Sequence, residues 1–226
     1  MSHYNQIAGQ RIQRIEALSD GVFSIAITLL ILDIKVPVGE AIHSEKDLIK
    51  AFTGLTPKLL SYLLSFITLG IYWAAQSTQF HFISKSDRRL NWIDLFFLLF
   101  VSLIPFTTAF LSQYITFRFA IFVYWLNIIM LGLILLLHWS YANKKNFISL
   151  SDDENSIVTK TIKRRVMESS LLYTLGAFLS LINPYLSLLV LIAIQLNYAL
   201  ALISRPHNKH PQFIKNDEAA KQNNNY

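Results

Sequence analysis

The chain has 226 residues, of which 53% are hydrophobic and 15% charged. Soluble domains draw about 25% of their residues from the four charged types, so this chain lacks the charge to solvate its own surface. With a mean hydropathy of +0.40 its natural solvent is a bilayer, and without cysteine it can form no disulfide, thiolate metal site or thiol nucleophile.

A spanning helix needs about 20 mostly apolar residues. In chain order the apolar runs predict six: Ala17 to Ile34, Leu59 to Phe80, Trp92 to Ser112, Phe119 to Tyr141, Leu171 to Ile182 and Tyr185 to Ile203. The fold class is therefore all-α, an integral membrane protein with six transmembrane helices. The first run is long, carries Asp20 and lacks a small-residue cleavage site, so it reads as a membrane helix and not a signal peptide. The fifth looks short and could begin nearer Val166. Asn183-Pro184 is a turn signal that folds helices five and six into a hairpin. Residues 1–205 form one membrane domain. Residues 206–226 are polar and Asn-rich, and are expected to be a disordered cytoplasmic tail.

The net charge of +6 could suit nucleic acid, so its placement decides. With six alternating spans and the N-terminus inside, only Lys35, Lys46, Lys50, Lys58 and Arg118 fall outside; the other fifteen of twenty basic residues fall inside. That asymmetry orients the chain in the cell membrane with both termini cytoplasmic. The basic residues sit in short loops that meet anionic lipid, which argues against nucleic acid or a soluble substrate as partner.

The first helix carries the polar chemistry. Asp20, Ser24 and Thr28 recur every four residues on one stripe; Gly21, Ile25, Thr28 and Leu32 form its neighbour. A carboxylate within a span costs about 2.5–3.5 kcal/mol on insertion scales and must face protein or water. Asp20 is thus either a packing residue satisfied near the interface or part of a pathway. Arg14 lies six residues from Asp20, about 240° around the helix, so the two cannot pair within it. No filter loop of the Thr-Val-Gly-Tyr-Gly type occurs, nor a voltage-sensor ladder, nor a nucleotide or hydrolase motif. His81 and His138 read as interfacial residues near helix ends, and no metal or cofactor is expected. Trp92, Tyr114, Trp139 and Tyr141 read as members of the aromatic belt. Tyr62 and Trp73 lie deeper and need polar partners, and Pro105 interrupts the third span.

The run Arg14-x-x-x-Leu18-Ser19-Asp20 before an apolar helix resembles the signature of the transmembrane protein 175 family of potassium channels. Tyr62-Leu-Leu-Ser65-Phe66 with Tyr72-Trp73, Asp87-Arg88-Arg89-Leu90-x-Trp92, Leu103-Ile104-Pro105-Phe106 and Asn183-Pro184 extend the likeness over nearly the whole chain. The resemblance implies a six-helix chain without a re-entrant filter loop and a homotetramer whose first helices line a central pore. It implies a hydrophobic constriction at Ile25, Leu29 and Leu32. A hydroxyl layer at Thr28 would lie near the permeant potassium ion. Arg14, Ser19, Asp20 and Trp73 would tie the pore helix to the second and third helices. The chain departs from the family pattern at Leu18, usually Phe; at Gln76 and Ser77, usually a pair of His; and at Asp94, usually Asn. A carboxylate at Asp94 beside Asp20 would repel it unless Arg14 lies between them or one is protonated. The expectation is a network rebuilt around Arg14, Asp20, Asp94 and Gln76.

The reading is a passive, moderately potassium-selective channel and not an enzyme. The alternatives are a proton-permeable or weakly selective cation channel, a secondary transporter, and a non-conducting scaffold bound to membrane lipids.

Overall fold

The structure, a computed structural model, describes residues 12–37 and 42–203. Its elements are α1 (Ile12–Leu29, drawn out by a 3-10 turn over Leu30–Asp33), α2 (Glu45–Thr53), α3 (Thr56–Phe82), α4 (Arg88–Gln113), α5 (Arg118–Lys144), α6 (Asp152–Phe178, then a 3-10 turn over Leu179–Leu181) and α7 (Pro184–Ile203). The only β pairing among the described residues is an isolated antiparallel bridge between Ile83 and Ile148. Four helices there are long and apolar enough to cross a membrane: Ile12–Asp33, Thr56–Phe82, Arg88–Gln113 and Arg118–Lys144. The predicted tail and the region of Arg11 lie outside the described residues.

Two elements differ from the sequence reading. The segment between the first two spans holds α2, a short helix that no apolar run announces. Its start is set by a capping box in which the Ser44 hydroxyl accepts from the Asp47 amide and the Asp47 carboxylate accepts from the Ser44 amide. The fifth helix begins at Asp152, not near Leu171. Its first half is polar, with eight charged residues from Asp152 to Glu168, so an apolar run marks only its second half. Ser151 and Glu154 form its capping box. The Asn183-Pro184 turn is as expected: Asn183 Oδ1 accepts from the Leu186 amide, and Pro184 opens α7 where no amide is needed.

In lipid, helices gain little from hydrophobic burial against one another and hold together by close packing and hydrogen bonds. Gly176 shows the first. A Cβ there would lie 2.7 Å from Leu191 Cδ2, so glycine lets α7 approach α6. Ser187 Oγ then donates to the Gly176 carbonyl at 2.6 Å. The second is seen at mid-bundle, where Ser65 on α3 donates to the Tyr124 hydroxyl on α5 and accepts from Thr108 on α4. Helix α4 packs against α1, α3 and α5. Phe23, Leu69, Phe97, Val101 and Leu131 form the core of that contact.

Candidate functional site

The first helix has two unlike faces. Ile12, Ile15, Ser19, Phe23, Ala26 and Leu30 follow one another at steps of three or four and are buried against α3 and α4. The opposite face carries Leu18, Gly21, Ser24, Ile25, Thr28, Leu29 and Leu32, and no other part of the described chain covers it. Ile25 is 60% exposed and Leu32 67%, against 1% for Phe23 on the packed face. The stripe read from the sequence is thus the face that the fold leaves open. Thr28 lies within it, and its hydroxyl points its proton back at the helix, 3.0 Å from the Ser24 carbonyl and 2.9 Å from that of Ile25. A hydroxyl so engaged turns its lone pairs outward, where they can accept a hydrogen bond or ligate a hard cation.

This helix is tied to its neighbours within its first half and at its C-terminal end. Asp20 on α1 accepts a 2.8 Å hydrogen bond from Trp73 Nε1 on α3. At the C-terminal end Asp33 accepts from Ser112 Oγ on α4 at 2.9 Å through its carboxylate, and from Lys58 Nζ on α3 at 3.3 Å through its carbonyl. Asp33 carries no motif, and only its position as the last polar residue of the first apolar run could have flagged it.

The expected four-residue network divides into separate parts. Asp94 is buried on α4 and holds partners of its own. Gln76 Nε2 on α3 donates to its Oδ1 at 3.4 Å, and His138 Nε2 on α5 lies 3.1 Å from the same oxygen, outside hydrogen-bonding alignment. Gln79 completes the group: its Oε1 is 2.7 Å from His138 Nδ1, and its Nε2 donates to the Leu135 carbonyl. Among the described residues Asp20 and Asp94 have no partner in common: Asp20 accepts from Trp73 on the open side, while Asp94 accepts from Gln76 and is 1% exposed. Separate partners and unlike exposure distinguish the two carboxylates, and Arg14, which is exposed, enters neither group. Ser19 is buried, and its hydroxyl has no hydrogen-bond partner.

Two aromatic assignments also change. His138 is 1% exposed and belongs to this buried group, not to the interface. Trp139 is wholly buried, donating from Nε1 to Thr159 Oγ1 of α6 at 2.9 Å. Both lie near the end of α5, as an interfacial residue would, but Trp139 meets Thr159 of α6, and His138 is enclosed by Gln79 and Phe80 of α3 and Asp94 of α4. Trp92 and Tyr114 are exposed near helix ends, as a belt requires. Among the described residues no three His, Asp or Glu gather to hold a metal ion.

An all-helical membrane protein that leaves one face of its first helix uncovered, with Ile25, Leu29 and Leu32 beside the hydroxyls of Ser24 and Thr28, has the make-up of an ion-channel subunit. The family model described as "Endosomal/lysosomal potassium channel TMEM175" matches residues 14–105. A potassium channel of Chryseobacterium sp. (strain P1-3) is 31% identical over 192 residues, 84% of this chain and 90% of that one. The crystal structure of a lysosomal potassium-selective channel TMEM175 homolog from Chamaesiphon minutus superposes with a TM-score of 0.71 at 30% identity, over 84% of this chain and 97% of that one. The endosomal/lysosomal proton channel TMEM175 of Homo sapiens is 36% identical over 110 residues, which are 45% of this chain and 22% of that one. The chain belongs to the TMEM175 family of ion channels.

Proposed function

We propose that the chain is a subunit of a potassium-conducting channel, a homotetramer in the cell membrane with α1 of each copy lining a central pore. Each subunit crosses the membrane six times and keeps both termini in the cytoplasm, a reading that the uneven placement of its basic residues supports. The observation that carries this reading is the open stripe of Ile25, Thr28, Leu29 and Leu32, a largely apolar face that no other described residue covers. Four copies of Ile25, Leu29 and Leu32 would make a ring that closes by expelling water. A small tilt or rotation of α1 would widen it. Selectivity comes from pore width, partial dehydration and the outward lone pairs of Thr28, and is therefore moderate. The names of the bacterial relatives support potassium as the ion.

The test is a flux assay on purified protein in vesicles with a potassium gradient, comparing potassium with sodium. Potassium-dependent flux whose ion preference weakens in Thr28→Ala is the expected result. Bi-ionic reversal potentials that do not move in Thr28→Ala would remove Thr28 from the selectivity layer. No flux above that of empty vesicles, from folded and inserted protein, would favour the scaffold reading.

A second reading has an observation of its own. Asp94 and His138 are buried together within the spans, and intramembrane titratable pairs serve proton relays. The vertebrate relatives are named proton channels. A proton-permeable channel is accordingly the first alternative, and it would show as acidification of potassium-free vesicles under a proton gradient.

A further inference from the structure

A polar cleft lies between the end of α5 and the first turns of α6, away from the open face of α1. It consists of two adjoining hollows of about 200 and about 380 Å³ that share Asn143, Thr159 and Lys163. Its floor is held in place by hydrogen bonds. Asn155 Nδ2 donates to Asn143 Oδ1 at 2.6 Å, Thr159 Oγ1 donates to Asn155 Oδ1 at 3.3 Å, and the buried Trp139 donates to Thr159. Lys144, Lys160 and Lys163 stand on its rim. All three are exposed, and none forms an ion pair with a described residue. Asp152 is the one carboxylate that lines the cleft, at the end of the larger hollow. Three ammonium groups against one carboxylate leave a positive basin over a floor of amides and hydroxyls.

The depth of the cleft suits a lipid headgroup. Helix α5 has 27 residues, about 40 Å at 1.5 Å per residue, while the hydrocarbon layer is about 30 Å thick. The last turns of α5, from Trp139 to Lys144, therefore emerge at the level of the headgroups, on the end of the bundle that also carries Lys85, Arg88 and Arg89. Juxtamembrane lysines there attract anionic headgroups. Diffuse attraction needs no cleft, however, and here the lysines surround a shaped hollow with fixed donors and acceptors beneath them.

We propose that this cleft binds a phosphate group, with Lys144, Lys160 and Lys163 neutralising its charge and the Asn143–Asn155–Thr159 floor setting its position. The phosphate belongs either to an anionic phospholipid or to a free anion. In either case it would clamp α6 to α5 at the point where α6 leaves the membrane.

The test uses the full chain in detergent, observed by native mass spectrometry during titration with phosphatidylglycerol. Phosphatidylcholine is the uncharged comparison, and inorganic phosphate is titrated in parallel. The variants are Lys144→Gln/Lys160→Gln/Lys163→Gln and, as a control outside the cleft, Lys85→Gln; circular dichroism checks that both remain helical. The expected result is a loss of about tenfold or more in phosphatidylglycerol affinity in the triple variant, with Lys85→Gln unchanged. Phosphatidylglycerol binding that millimolar phosphate does not displace assigns the site to lipid, and displacement assigns it to a free anion. Three outcomes would overturn the proposal: a folded triple variant that binds both probes as the parent does, an equal loss in Lys85→Gln, or equal retention of phosphatidylcholine by the parent chain.

Discussion

His138 Nε2 and Asp94 Oδ1 meet 3.1 Å apart inside the bundle, each side chain almost wholly shielded, with Gln76 and Gln79 closing the group from α3. Three helices are joined by this one cluster. It stands where the family pattern has a neutral amide at position 94 and a pair of histidines after Trp73. The histidine of this cluster, His138, comes from α5.

Removing Asp94 leaves the buried Gln76 amide without its acceptor and the His138 ring without its facing carboxylate, and an unsatisfied buried group costs about 1–3 kcal/mol. Asp94→Leu is therefore expected to lower the thermal midpoint of the purified protein markedly, and Asp94→Asn much less, since the amide still accepts from Gln76. Asp94→Leu/His138→Leu should be less damaging than the sum of the single changes. Strict additivity in the melting series would mean that the two residues do not interact.

The Trp73–Asp20 bond holds the open helix against α3. Trp73→Phe keeps the ring and deletes the donor, at a cost of about 1 kcal/mol. The larger effect is expected in function: α1 loses one of its fixed points, and resting flux rises. Equal flux from Trp73→Phe and parent vesicles at matched protein density would show that the bond is irrelevant to closure.

If the apolar ring is the closed gate, shortening its side chains must admit water. Leu29→Ala and Leu32→Ala are expected to raise basal potassium leak severalfold without unfolding the subunit, because both side chains are exposed within the chain and leave no cavity in its core. The check is the vesicle flux assay at rest, beside a melting curve for each variant.

On α2, the hydrogen bond from the Ser44 side chain, with backbone hydrogen bonds from His43 and Ser44, holds the Asp47 carboxyl below the usual aspartate value. A lowered value means that the cap is at full strength above the ordinary carboxylate range and is lost as pH falls through the lowered value. An NMR titration should place Asp47 below a typical aspartate, and Ser44→Ala should bring it back toward one. No difference between the two titrations would remove Ser44 as the cause.

Much of the site was legible one residue at a time. The spacing of Asp20, Ser24 and Thr28 and of Ile25, Leu29 and Leu32 placed them on one side of a helix, because 3.6 residues per turn fixes which side chains share a face. The partners were not legible from local pattern. The family resemblance put Trp73 and Asp20 in one network, but nothing in the neighbours of Trp73 names Asp20, 53 residues away. His138 and Trp139 have the sequence context of interfacial residues, and only the packing of α3 and α4 around His138 and of α6 beside Trp139 reveals their partners.

Composition, apolar run length and the uneven placement of basic residues determined the membrane class, the four long spans and the closing hairpin, because each depends on local transfer free energy or local backbone geometry. The tertiary structure alone decided which face of α1 stays open, which residue satisfies each buried carboxylate, and that Asp20 and Asp94 have separate partners. Those outcomes depend on hydrogen bonds between groups 18 to 79 residues apart, and in a medium without water such groups are satisfied by whatever the packed helices bring within about 3 Å.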